Sequence, residues 1–263
     1  MAKTKKRKIK LSKKKPEKGL VLRLKKKAGR GSSGRITIRH RGGGSRRKYR
    51  VIDFGQEKTD VPAKVIALEY DPNRTAYIML LEYQDKERRY RLAPQGLKVG
   101  DEVICSEKTR ISPGNRMKLK NIPVGEQIFN VEIRPGKGGQ LVKGAGTAAK
   151  ILAKEERYCN LEMPSKEVRK ILTDCFATIG QVSHPEKRFE KMGKAGSRRK
   201  KGWRPTVRGT VMSPRDHPHG GGEGKTPIGL PHPKTPWGKP ALGAKTRKRK
   251  HTDKYIVKKR KDK

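Results

Sequence analysis

Past Gly202 the sequence cannot build a hydrophobic core. Trp203, Val207, Val211, Met212, Ile228, Leu230, Trp237, Leu242 and Tyr255–Val257 are scattered among Gly, Pro, Lys and Arg. Neither the helical nor the strand period gathers them on one face. The extreme case is Arg208–Gly224, RGTVMSPRDHPHGGGEG, whose last nine residues are Asp216, His217, Pro218, His219, Glu223 and four glycines. Glycine at that density disfavours helix and strand interiors alike. This predicts irregular backbone held in shape by a partner.

Charge says what the partner is. Of the net +44, residues 1–50 contribute +21, with Glu17 as their one acid, and residues 194–263 contribute +18. The intervening 143 residues carry only +5. Two polycationic extensions on a nearly neutral middle call for a polyanion, bound through counterion release. A membrane surface fits poorly, because neither end sets an amphipathic apolar face beside its charge. The sequence has no run of 18 apolar residues, so no transmembrane helix is predicted. The patch Leu20–Leu24 is interrupted by Arg23, too short for a secretion signal, so the expected location is cytoplasmic. Cys105, Cys159 and Cys175 show no CxxC spacing. They read as buried reduced thiols, and no structural metal is expected.

The expected fold class is all-β: two small barrels in tandem, OB-like then SH3-like, with long basic irregular extensions at both ends. Residues 1–33 form the N-terminal basic arm, disordered until bound. In GRITIRHRGGGSRRKYRVIDF, Ile36 and Ile38 alternate with Arg35, Thr37 and Arg39, a half-buried strand pattern with a cationic outer face. Gly42–Gly44 would let the backbone approach a partner closely, or simply turn between edge strands. Residues 34–122 are assigned to the OB-like RNA-binding barrel. VPAKVIALEY and TAYIMLLEY are strands joined by the turn Asp71-Pro72-Asn73-Arg74, and ERRYRLAP and VGDEVICS follow. Residues 123–195 form the SH3-like barrel, with strands at Gln127–Ile133, Thr147–Ala153, Arg157–Met163, Glu167–Leu172 and Cys175–Val182. AKILAKEERY also has helical propensity, so that segment is open between strand and helical turn. A short irregular helix and a basic turn fall within 185–202. Residues 196–263 are an extended basic region that penetrates RNA, ending in a cationic arm.

Three motifs look like enzyme chemistry. GGGEGKT at Gly220–Thr226 lacks the glycine that a phosphate-binding loop needs five residues before its Gly-Lys pair: His219 stands there. GAGTAA at Gly144–Ala149 matches a dinucleotide fingerprint in letters, but short antiparallel strands follow it where βαβ units are required. Ser213, Asp216, His217 and His219 are triad residue types on a flexible loop, without the rigid support that a triad needs. One proline-separated histidine pair with one carboxylate is a weak metal signal. The reading adopted is that the imidazoles stack on bases or donate to phosphates, Asp216 fixes the loop through backbone N–H bonds, and Gly220, Gly221 and Gly222 let the backbone enter a crowded RNA fold. Trp203 and Trp237 either stack on bases or sugars or pack locally on their neighbouring prolines.

Ten segments in order carry a family resemblance: GRITIRHRGGG, ALEYDPNR, YRLAPQGLKVGD, PGKGGQL, CFATIGQV, GKAG, RPTVRG, DHPHGGGEG, TPWG and TDKYIVKKR. From about Gly34 to Lys259 the chain resembles the universal large-subunit ribosomal proteins numbered two, in their bacterial form. Ser45 stands where a histidine usually follows the triple glycine of that family, and LVKGAGTAAK is looser than its usual LARSAGTSAQ. The resemblance implies a structural constituent of the large subunit that binds 23S-type ribosomal RNA. It also implies neighbouring ribosomal proteins, a contact with the small subunit, indirect support of tRNA binding and of the peptidyl transferase region, and no enzymatic activity, cofactor or membrane. Expected RNA contacts are Arg35, Arg39, His40, Arg41, Gly43, Arg46, Arg47, Lys48 and Arg50 near the triple glycine. Further along they are Arg198, Arg199, Lys200, Trp203, Arg204, Arg208 and Arg215. The loop adds Asp216, His217, His219 and Gly220–Gly222, and the tail adds Trp237, Lys245, Arg247 and Lys254.

Overall fold

The computed structural model describes residues 11–55, 57–243, 247 and 249–260. They form two compact units. One comprises Met1–Leu24, Arg47–Lys191 and Thr252–Lys263; the other comprises Lys25–Arg46 and Met192–His251.

The strands of the first unit all pair antiparallel, and short 3-10 turns and two isolated parallel bridges lie between them. Strands β1 (Val21–Arg23) and β2 (Lys48–Arg50) form a two-stranded ribbon. Strands β3 (Ala63–Tyr70), β4 (Tyr77–Tyr83), β5 (Arg88–Leu92) and β6 (Glu102–Val103) form a sheet in the order β5-β4-β3-β6. Alternating side chains cover both of its faces. Val65, Leu68, Met79, Leu81 and Tyr83 build a core on one side; Ile52, Ile78, Leu80 and Tyr90 build a second on the other. A bulge between Val65 and Ala67 shifts the register of β3 against β4.

The third sheet contains β7 (Arg116–Lys118), β8 (Gln127–Phe129), β9 (Ala149–Lys154), β10 (Tyr158–Glu162), β11 (Val168–Leu172), β12 (Phe176–Ile179) and β13 (Ile256–Lys258). Its order is β13-β11-β10-β9-β8-β12-β7. Its core is the largest, with Met117, Leu119, Ile128, Phe129, Ile151, Leu161 and Val182 almost fully buried. Cys159 and Cys175 are free thiols in this core, and Cys105, also free and buried, bridges to Arg116 of β7. AKILAK is strand: Ala149 and Ile151 alternate inward, and pairing with β8 and β10 overrides the local helical propensity. In GAGTAA, Gly146 has φ +65° and a Cβ there would lie 2.6 Å from Pro185 Cα, so its glycine serves a close approach within the chain.

Three expectations are corrected. Ile36 and Ile38 do not form a half-buried strand: they are 62% and 61% exposed, and the segment makes only an isolated bridge between Arg30 and Ile36. Its residues pair with their own turn, since Thr37 and Ile38 N–H both donate to Gly29 O. The described part of the N-terminal arm, residues 11–33, is ordered where it has a sheet face to cover. Ser12 N–H donates to Leu68 O, Leu20 packs on the Tyr90 side of the sheet, and Glu17 N–H donates to the Tyr90 hydroxyl. The final cationic stretch contributes β13, which gives the open edge of β11 a backbone partner.

Candidate nucleic-acid interface

The second unit gathers most of the expected contacts from two distant parts of the chain. It holds 24 Lys and Arg against two acids, Asp216 and Glu223. Among its described residues none of the buried side chains is apolar; His217, 8% exposed, is the buried one. Order therefore comes from backbone hydrogen bonds and rings under cations.

The triple glycine joins the two segments. Gly42 N–H donates to Gly202 O, Ser45 N–H to Lys200 O and Arg204 N–H to His40 O, which lays the two stretches antiparallel. Gly42, Gly43 and Gly44 all have positive φ, and a Cβ on Gly44 would sit 2.9 Å from the Gly202 backbone. The close approach expected of these glycines is thus made, at Gly44, to the chain itself. His40, at φ +60°, lies with Nδ1 3.2 Å from Pro205 O, so Nδ1–H donates and Nε2 remains for a partner. Lys26, absent from the sequence-based set, donates from Nζ to Gly44 O at 2.8 Å. No local pattern distinguishes it from its lysine neighbours.

The two tryptophans differ. Trp203 has the Arg41 guanidinium 4.3 Å from its ring centroid and Arg198 at 5.9 Å, and Arg199 Nη1 donates to its carbonyl. Its indole holds arginines in place by cation–π attraction. Trp237 sits at the tip of the turn Thr235–Gly238, closed by Gly238 N–H to Thr235 O, with Pro236 fixing the second position. It is 71% exposed, with Arg39 5.3 Å from the ring. This ring is open to solvent, with a cation beside it.

The loop Asp216–Gly224 is organised from within. Asp216 and His217 N–H donate to Ser213 O, making a turn with the serine carbonyl. His217 Nδ1 accepts the His219 N–H at 3.1 Å, and His219 Nε2 accepts the Lys234 N–H at 2.8 Å. Both rings are therefore neutral acceptors in opposite tautomers: His217 carries its proton on Nε2 and His219 on Nδ1. The lone pairs that a metal or a proton relay would use are engaged by backbone amides. The expected outward donation falls to the remaining ring N–H groups. The rings lie 4.6 Å apart at 56°. Glycines make room for the His217 ring and for the loop backbone: a Cβ on Gly209 would lie 2.6 Å from the His217 ring, and one on Gly220 would lie 2.5 Å from Ser213 O. Gly222, at φ +85°, backs against Thr226, whose hydroxyl donates to Glu223 O. The amide-accepting role assigned to Asp216 is filled here by the two imidazoles and the Ser213 carbonyl.

Four expected contacts lie in the first unit. Arg50 pairs with the buried Asp71 at 3.5 Å, and Arg47 donates to Pro72 O at 3.1 Å. Both help fix the Asp71–Arg74 turn, where Asp71 also accepts from Asn73 N–H and Arg74 Nε. Lys48 lies in β2, and Lys254 Nζ lies 5.3 Å from the Tyr255 ring. Lys245 falls outside the described residues. Arg35, Arg39, Arg46, Arg208, Arg215 and Arg247 belong to the second unit together with Arg198–Lys200 and Arg204.

Two family models match the chain. Ribosomal Proteins L2, RNA binding N-terminal domain, covers residues 17–105, and Ribosomal Proteins L2, C-terminal domain, covers residues 112–238.

Proposed function

The chain belongs to the ribosomal protein L2 family, a structural, RNA-binding constituent of the large ribosomal subunit in the cytoplasm, and from that premise we propose how its parts divide the work. The first unit, which holds the strands of both assigned barrels, acts as the folded anchor. The unit of Lys25–Arg46 and Met192–His251 makes the deep contacts with ribosomal RNA. One observation carries this reading: an ordered backbone with 24 basic residues, two acids and no buried apolar side chain among its described residues. Charge of one sign at that density repels itself unless phosphates neutralise it. Arginines already oriented by carbonyls and indole rings lose little further freedom on meeting a phosphate.

The loop Asp216–Gly224 supports the peptidyl transferase region and tRNA binding as a preformed element, while the RNA carries out the chemistry. Contact with the small subunit belongs to the same reading. The test uses the full chain and the loop variant Gly209→Ala. Reconstituted large subunits are assayed for sedimentation, subunit joining, tRNA occupancy and peptide-bond formation. The variant is expected to enter subunits and to lower tRNA binding and peptide-bond formation together. Particles with normal activity on every measure would refute the loop's role. Equal affinity of the wild-type chain for large-subunit RNA and unrelated RNA at the same salt would refute the binding reading itself.

A further inference from the structure

A groove of about 810 Å³ runs between the N-terminal arm and the Tyr90 side of the four-stranded sheet. Its floor is aliphatic, with Ile66, Ala67 and Leu80, and Lys13, Lys14 and Lys15 stand along its rim. The volume falls within the roughly 300–1,000 Å³ of ligand sites. One residue is out of place beside an apolar floor: Glu69, an acid 5% exposed, is among the residues that line the groove. Its one described hydrogen bond comes from the Tyr90 hydroxyl at 3.0 Å, and that hydroxyl in turn accepts the Glu17 N–H. Among the described residues neither neighbouring arginine forms an ion pair with Glu69, although the Arg50 charge acts on it through space. Arg88 binds Glu17 at 3.0 Å and Glu82 at 2.9 Å, and Arg50 pairs with Asp71. Burial is the largest influence on the Glu69 carboxyl and pushes its pKa up, as expected of an acid short of donors.

We infer that this groove receives a single unstacked guanine of ribosomal RNA, with Glu69 accepting from its Watson–Crick edge. A carboxylate only accepts. Guanine sets N1–H and the N2 amino group side by side, two donors for two oxygens. Adenine and cytosine place a ring acceptor beside their amino group, and uracil flanks its one N–H with two carbonyls, so each meets Glu69 with a repulsive lone pair. The aliphatic floor covers the base face, and three consecutive lysines suit a run of phosphates more than the single phosphate of a free nucleotide. The inference rests on the reading of the chain as a binder of ribosomal RNA.

The test uses the full-length protein at about 0.5 M salt, where the Debye length falls to roughly 4 Å and non-specific charge binding is suppressed. A uridine oligomer with one central guanosine competes against the all-uridine oligomer and against free guanosine monophosphate. The guanosine oligomer is expected to win over all-uridine by about tenfold, as a bidentate base contact allows. That preference should vanish in Glu69→Gln, which keeps an acceptor for Tyr90 but turns one oxygen into a donor. The exposed control Lys64→Gln should retain it. Independently, Ile66 and Leu80 methyl resonances of the wild type should shift saturably with the guanosine oligomer. Equal affinities, a preference that survives Glu69→Gln, tighter binding of the free nucleotide, or unmoved methyls would each overturn the inference. If selective ribosomal-RNA binding persists at lower salt in those cases, the groove alone is refuted; if it too is absent, the functional reading falls with it.

Discussion

Arg116→Met should destabilise the barrel unit by about 3–5 kcal/mol, a large share of the roughly 5–15 kcal/mol that holds a domain together. Arg116 and Glu132 are both inaccessible to solvent, with Nη2 2.9 Å from the carboxylate and Nη1 donating to Asn130 O at 2.8 Å. Removing the guanidinium strands a buried negative charge and an Asn130 carbonyl. With a urea slope of roughly 2–3 kcal/mol/M, the unfolding midpoint should drop by about 1–2.5 M. The sharper measurement is the double variant Arg116→Met/Glu132→Met. Replacing a buried ion pair by apolar residues usually restores stability. Here it should not, because Glu132 also accepts three backbone N–H groups, from Gly136, Gly138 and Phe176 at 3.3, 3.2 and 3.1 Å. The Gly138 amide is buried, and orphaning it alone costs about 1–3 kcal/mol. Urea titrations followed by far-UV circular dichroism measure all three proteins. A double variant as stable as the wild type, or a single variant within about 1 kcal/mol of it, would refute the account of Glu132 as an amide cap.

Gly209→Ala should leave the urea midpoint of the barrel unit unchanged while disrupting the 216–224 loop. The added Cβ meets the His217 ring at 2.6 Å, and amide exchange of His219 and Lys234 should accelerate. Unchanged protection at both amides would contradict the imidazole-acceptor arrangement. Trp237→Ala should weaken ribosomal-RNA binding about 5- to 150-fold, the worth of one stacked base, with no change in fold. An unaltered affinity would show that the exposed ring does not stack. The thiols give a pH dependence. Burial pushes Cys159 up to about 11 and Cys175 up to about 12, above the 9.0 of a free thiol. The folded state thus keeps protons that the unfolded chain releases, so this contribution is complete below pH 9 and is lost as pH rises through 11 to 12. The urea midpoint should fall over that interval, and replacing both cysteines by alanine should flatten the fall. A slope unchanged by the replacement would assign it to other groups.

The strands of the four-stranded sheet are readable in the chain, because VPAKVIALEY and TAYIMLLEY are β-rich apolar runs on either side of the Asp71–Arg74 turn, a local pattern with a local cause. The same logic misleads at Ile36 and Ile38. Alternation there has no facing sheet to bury against, and both side chains stay in solvent. At AKILAK the local signals conflict, and pairing on both edges decides for strand. The basic residues of the interface are visible as composition. Their division into oriented contacts and internal ties is not: Arg50 and Arg47 serve a turn, and Arg41 and Arg198 flank an indole.

Charge layout and glycine density alone dictate that the segment after Gly202 lacks a core and needs a polyanion, since both are sums over residues and require no coordinates. Tertiary structure alone decides which glycines are spacers and what the histidines do. Gly44 meets Gly202, Gly209 meets His217 and Lys234 meets His219 across separations in sequence that no periodicity encodes. The loop that reads as shapeless owes its shape to two neutral imidazoles that accept backbone amides. Such a bond depends on where two backbones pass each other, and residue identity sets only whether the nitrogen is there to accept it.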